Sequence, residues 1–119
     1  MDIFVVDDEP LIASTTAEIF RMSGYSAIAF TNPDDALAAV SRGCPRLVIA
    51  DLKMPGLSGL DLAIRIRESC ADCGIILFTG LTYMSDSLQY ARQRGFDFSL
   101  LLKPVTPAEL LLAVGQIMR

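Results

Sequence analysis

An α/β fold built on a doubly wound, five-stranded parallel sheet is the architecture this chain predicts, and three observations lead to it. Apolar runs of strand length alternate with stretches of helical periodicity along all 119 residues. Proline, glycine and short polar residues mark the junctions, and no linker, repeat or low-complexity segment interrupts the alternation. Four of the runs end in polar residues suited to one small anionic site: Ile3 to Val6 leads into Asp7-Asp8, Leu47 to Ala50 into Asp51, Ile75 to Phe78 into Thr79, and Leu100 to Leu102 into Lys103-Pro104. Strands of a parallel sheet all point one way, so their terminal residues meet at one edge, where ligands of open α/β sheets bind.

Each element follows from its own signals. Ile3 to Val6 is the first strand. Pro10 to Ser23 is helical, with Leu11, Ile12, Thr15, Ile19 and Met22 near one face and Gly24 as the stop. Tyr25 to Phe30 is the second strand. Thr31 or Asn32 caps a helix that begins at Pro33, carries Asp34 and Asp35 in its first turn and ends at Gly43. Leu47 to Ala50 is the third strand. Ser58 to Cys70 forms the third helix, with Leu60, Ala63, Ile64 and the stem of Arg67 turned inward, and Ile75 to Phe78 the fourth strand. Tyr83 to Arg94 is a helix with a weaker apolar stripe, broken by Gly95. Phe98 to Leu102 is the fifth strand, and Thr106-Pro107-Ala108-Glu109 opens a fifth helix with a cap, a first-position proline and an acid at N3. Right-handed crossovers, with a reversal of direction after the first strand, give the flavodoxin-like order 2-1-3-4-5. Asp7-Asp8 and Asp51 then lie at the switch point.

Composition narrows the function classes. At 52% hydrophobic residues the chain forms one core, and its length is too short for two ordinary domains. No apolar run approaches the roughly 20 residues that span a bilayer, and no basic leader precedes a signal core, so a cytoplasmic protein is expected. A net charge of -4 without a Lys/Arg cluster argues against direct nucleic-acid binding, which needs concentrated positive charge. Cysteine usage agrees with a reducing compartment. Cys44 stands alone, and Cys70-Ala-Asp-Cys73 has redox-pair spacing, yet it closes a helix rather than opening one, where the dipole would favour a thiolate. Zinc would want four ligands, and the chain has three cysteines and no histidine.

Three converging carboxylates repel each other and raise at least one pKa unless a cation compensates them. Carboxylate oxygens, retained waters and phosphate oxygens make the usual magnesium site. Asp7 and Asp8 alone can be read as a polar strand ending, but their joint placement with Asp51 and Lys103 favours a site.

Asp7-Asp8-Glu9-Pro10, Asp51-Leu52-Lys53-Met54-Pro55-Gly56 with Gly59, Phe78-Thr79-Gly80 and Lys103-Pro104 together resemble the receiver domain of two-component response regulators, across essentially residues 1–119. The resemblance implies a signalling domain rather than an enzyme, one that accepts phosphate and at most slowly dephosphorylates itself. It implies that Asp51 is the phosphoacceptor for a histidine kinase or phosphotransfer protein. It further implies Mg2+ held by Asp7, Asp8, Asp51 and the backbone carbonyl of Lys53. Thr79 matches the switch hydroxyl, Lys103 the phosphate-pairing lysine, and Pro104 the proline after it, often joined by a cis bond. The resemblance also implies output to a downstream protein or homodimer through the face of the Tyr83–Arg94 helix, the fifth strand and the last helix, with no nucleic acid or membrane bound by this domain. Many receivers carry Tyr or Phe three residues before the lysine; here that position is Leu100, and strand alternation puts Phe98 on the same face. Two other readings follow: an interaction module that keeps the fold without phospho-switching, and a hydrolase, against which Leu52-Lys53 leaves no acid two residues after Asp51.

Overall fold

The computed structural model describes residues 3–54, 56–80, 92–96 and 98–118. Five parallel strands, β1 (Ile3–Val6), β2 (Ala27–Phe30), β3 (Leu47–Asp51), β4 (Gly74–Thr79) and β5 (Ser99–Leu102), form one sheet in the order β2-β1-β3-β4-β5. Four helices accompany them among the described residues: α1 (Pro10–Met22), α2 (Pro33–Arg42), α3 (Gly59–Ser69) and α4 (Pro107–Ile117). The expected Tyr83–Arg94 helix lies, apart from its last three residues, outside the described residues, as do Pro55, Tyr83 and Tyr90.

Both faces of the sheet are covered, which is why its central strands are near-continuous apolar runs up to their polar endings. Phe4, Val6, Val48, Ala50, Ile75 and Leu77 pack beneath α2 and α3, while Ile3, Val5, Leu47, Ile49, Ile76 and Phe78 pack beneath α1 and α4. Three helices start at side-chain caps. Asn32 accepts from the Asp34 N–H at 2.9 Å, Ser58 from the Asp61 N–H at 3.1 Å, and Thr106 from the Glu109 N–H at 3.1 Å. Each cap satisfies an otherwise orphaned donor and contributes about 1 kcal/mol.

One packing expectation is corrected and another extended. In α1 the buried face is Ala13, Thr16, Ala17 and Phe20, whereas Leu11 and Met22 are 78% and 79% exposed. Small residues let the helix axis lie close to the sheet, and that close approach turns the bulkier apolar stripe outward. In α3, Leu62 and Ile66 join Leu60 and Ala63 in the core, while Ile64 is half-buried. The Arg67 stem does turn inward: its guanidinium lies 5.3 Å from the Phe98 ring centre, and Phe98 stacks on Phe96 at 5.9 Å.

The cysteines also differ from expectation. Cys44, in the loop after α2, is bonded to Cys70 at the C-cap of α3, and Cys73 is the free, buried thiol. Residues 26 apart in sequence meet because α2 and α3 pack on the same sheet face, a proximity that spacing alone does not reveal.

Candidate functional site at the carboxyl edge of the sheet

The register brings the strand endings together. Val6 pairs with Ala50, so Asp7 and Asp51 occupy the next rung of neighbouring strands; Asp51 in turn pairs with Phe78, and Thr79 with Leu102. Backbone hydrogen bonds extend this order past the strands. The Asp7 N–H donates to Phe30 O at 3.0 Å, the Leu52 N–H to Phe78 O at 2.8 Å, and the Lys103 N–H to Thr79 O at 2.9 Å. Each polar side chain therefore leaves from a backbone fixed by its neighbour.

Asp7, Asp8 and Asp51 each offer a carboxylate oxygen, and these three atoms lie within 4.8 Å of one another. Their settings differ. Asp7 is 3% exposed, Asp51 is half-buried and Asp8 lies open to solvent. Burial raises the Asp7 carboxyl above its ordinary value; the Glu9 N–H, donating to Asp7 Oδ1 at 3.0 Å, opposes that rise, the Asp51 charge adds to it, the Lys103 charge opposes it and Asp8 adds to it. A buried acid beside two others is the donor set that a hard divalent cation fits: oxygen-only, anionic, and open on the Asp8 side.

Lys103 reaches across from the end of β5. Its Nζ donates to Asp51 Oδ2 at 2.6 Å, while the Lys53 N–H donates to Oδ1 at 3.3 Å. Asp51 is thus held at both oxygens, one by a charge and one by its own loop. The Lys103-Pro104 peptide is cis, as the motif led one to expect. Thr79 is buried at 2% exposure and its hydroxyl donates to Gly80 O at 3.2 Å. The Lys53 side chain is exposed.

The loop from β3 to α3 is shaped by two glycines. Gly56 has φ +76, the left-handed region that other residues rarely adopt. Gly59 packs directly on the end of β3: a Cβ there would overlap the Asp51 carbonyl oxygen and lie 2.8 Å from both the Asp51 carbonyl carbon and Leu52 Cα. Only hydrogen fits. The motif contains Gly59, but the reason for it is this contact, which the sequence does not disclose.

Residues 3–115 match the family model described as the response regulator receiver domain. This chain belongs to that family. Receiver domains are signalling modules, phosphorylation of an aspartate is typical of the family, and its members work with histidine kinases or phosphotransfer proteins. Among curated proteins, the chain is 30% identical over 119 residues to the phosphate regulon transcriptional regulatory protein PhoB of Pseudomonas aeruginosa, covering 98% of this chain and 51% of that one. It is 32% identical over 112 residues to the DNA-binding response regulator MtrA of Mycolicibacterium smegmatis, covering 94% and 48%. The chain thus spans about half the length of these relatives. Among solved structures, the receiver domain of NtrX from Brucella abortus superimposes with a TM-score of 0.85 at 29% identity, covering 98% of each chain. A response regulator receiver domain protein from Clostridium thermocellum superimposes at 0.84 with 27% identity, covering 98% of this chain and 93% of that one.

The fifth strand carries Leu100 and leads into Lys103. Leu100 is half-buried and packs, with Phe98 and Phe96, against the same core as α2 and α3. β5 starts at Ser99, one residue later than expected, and pairs in unbroken register from Ile76–Ser99 to Thr79–Leu102. Phe98 therefore reaches the Leu100 face by ordinary alternation. It is buried there against Arg67.

Proposed function

We propose that residues 1–119 are a single receiver domain that takes a phosphoryl group on Asp51 from the phosphohistidine of a histidine kinase or phosphotransfer protein. The observation carrying this reading is the Asp51 carboxylate, paired at 2.6 Å with Lys103 and within 4.8 Å of two further acids. An Asp51 oxygen forms the new O–P bond as the P–N bond to the donor imidazole breaks, and the imidazole leaves with the bonding pair and is protonated. Phosphoryl transfer depends on positioning and charge neutralisation more than on proton shuttling. Lys103 exchanges its carboxylate partner for a phosphoryl oxygen. Asp7, Asp8, Asp51 and the Lys53 carbonyl would hold Mg2+, which when bound neutralises phosphoryl charge. The Thr79 hydroxyl is the group that answers the new acceptors, biasing the chain that follows β4. Lys53, exposed at the rim, governs water access and hence slow self-dephosphorylation.

An apolar groove beside the site suits a macromolecular phosphodonor. Ile12, Thr16, Ile19, Phe78, Pro104 and Val105 line an apolar groove of about 510 Å³ that reaches Lys103, with Leu11 exposed on the same helix. The setting is cytoplasmic; no helix of the described residues is long and apolar enough to cross a membrane. Output passes to a downstream protein or a second copy through β5, α4 and the expected Tyr83–Arg94 helix, without direct contact to nucleic acid.

The test compares wild type with Asp51→Asn for Mg2+-dependent labelling by acetyl phosphate and by phosphohistidine donors. Wild type is labelled and the variant is not; equal labelling of both would overturn the assignment. Leu100, which has no hydroxyl or ring to reorient, favours a second reading, a constitutive interaction module. Partner binding that persists with no Asp51 adduct from several donors would decide for it.

A further inference from the structure

We propose that Cys44–Cys70 is a reversible redox modification site, exchanging with low-molecular-weight thiols and disulfides of the glutathione class and clamping the segment that carries Asp51. The fold makes the pair: the loop after α2 and the C-cap of α3 set the two Cα atoms 5.8 Å apart, within the span a disulfide needs. The two ends of the bond differ in access. Cys44 is an exposed residue, whereas Cys70 is 5% exposed and belongs to the core beneath α3. A small thiol therefore meets the bond from the Cys44 side.

Cys73, three residues beyond Cys70, does not serve as the internal nucleophile. It is 3% exposed, its thiol donates to Gly74 O at 3.4 Å, and burial pushes it up to about 11, so at neutral pH it stays protonated. Exchange requires an external partner. In the forward direction the Cys44 thiolate attacks the S–S bond of oxidised glutathione, releasing one glutathione thiol and leaving a mixed disulfide at Cys44. Cys70 then attacks the Cys44 sulfur and releases the second. Two protein thiols lose two protons and two electrons, and one small disulfide is reduced to two thiols; reduced glutathione drives the reverse.

The enclosed segment, residues 44–70, contains all of β3, the Asp51 loop and all of α3. The bond ties the last residue of that segment to its first, at the amino-terminal edge of the sheet, where the Gly74 N–H also donates to Arg46 O at 2.9 Å. Disulfides in a reducing compartment are transient and redox-sensing as a rule, which suits a bond with one accessible end.

The test uses the full chain in buffers spanning ratios of reduced to oxidised glutathione, quenched with acid, denatured, alkylated with a maleimide and weighed. One adduct, at Cys73, is expected under oxidising ratios and three under reducing ratios, interconverting in both directions, with a linked Cys44–Cys70 peptide in the oxidised form. Cys73→Ser keeps the transition and Cys44→Ser abolishes it. Hydrogen exchange within residues 44–70 is at least about tenfold slower in the oxidised form, because the clamped segment opens less readily. Three adducts at every ratio, a disulfide that includes Cys73, or unchanged exchange across 44–70 would overturn the proposal. None of these readouts involves phosphorylation, so failure here is distinct from failure of the Asp51 assignment.

Discussion

Replacing Gly59 with alanine is a one-carbon change whose effect can be worked from the contact between α3 and β3. The added Cβ would overlap the Asp51 carbonyl oxygen and sit 2.8 Å from two more backbone atoms, so no flexible side chain can swing aside. The end of β3 is pinned, since Asp51 pairs with Phe78 and the Leu52 N–H bonds to Phe78 O. The start of α3 must therefore retreat by on the order of 1 Å, an overpacking that costs about 1–3 kcal/mol. The same retreat weakens the Gly59 N–H bond to Leu52 O, now 3.0 Å, at about 0.5–1.5 kcal/mol. Helix propensity returns little at a first-turn position, leaving a net loss of roughly 2–3 kcal/mol. Thermal unfolding should then fall by roughly 8–15 °C for a chain of this size. Any part of the strain that reaches β3 displaces Asp51, where a shift of ~1 Å can slow phosphoryl acceptance ~100-fold. Gly115 is the control: its added Cβ meets nothing within 4 Å inside α4, so Gly115→Ala should stabilise by about 0.5–1 kcal/mol. Calorimetry of both variants with acetyl phosphate labelling checks the reasoning, and a Gly59→Ala protein that melts and labels like wild type refutes it.

Further predictions address charge, thiol and cross-link. Lys103→Ala should slow phosphoryl acceptance by about 100-fold or more through loss of the preorganised cation, with little change in melting; labelling rates at wild-type level would sink that role. Cys73 has its thiol pKa raised by burial from 9.0 to about 11. Its contribution is fully present below about 9 and fades as pH climbs through about 11, by roughly 2–3 kcal/mol. Melting curves of wild type and Cys73→Ala should converge over that range, and parallel curves would exclude the effect. The Cys44–Cys70 loop spans a separation of 26 residues, for which chain entropy gives about 3–4 kcal/mol of stabilisation. Oxidised protein should thus melt roughly 10–20 °C above reduced protein, and coincident curves would show that the bond leaves the unfolded chain unconstrained.

The strand order and the meeting of Asp7, Asp8, Asp51 and Lys103 at one sheet edge, with Thr79 ending the strand between, were legible because both follow from strand periodicity and chain direction, which are local signals. What escaped the sequence depends on distance and rotation. The α1 stripe of Leu11, Ile12 and Met22 has the right spacing for a core face, yet the alanine side lets the helix approach the sheet more closely. The Cys44–Cys70 bond and the Arg67–Phe98 stack join residues far apart in sequence, and no periodic pattern encodes either. Gly59 was visible as a motif letter, but its contact with the Asp51 carbonyl appears only when α3 is laid on β3.

The long-range assembly of the site also orders events during synthesis. Asp7 emerges first, Asp51 well after it, and Lys103 a further 52 residues on, carried by the edge strand at the far side of the sheet from β2. A nascent chain therefore holds its carboxylates before it holds the cation that pairs with one of them. Until β5 docks on β4 the acids lack the Lys103 ammonium, and a truncated product ending before residue 103 has Asp51 without that partner. The charge balance of the site is therefore complete only once the last strand is in place.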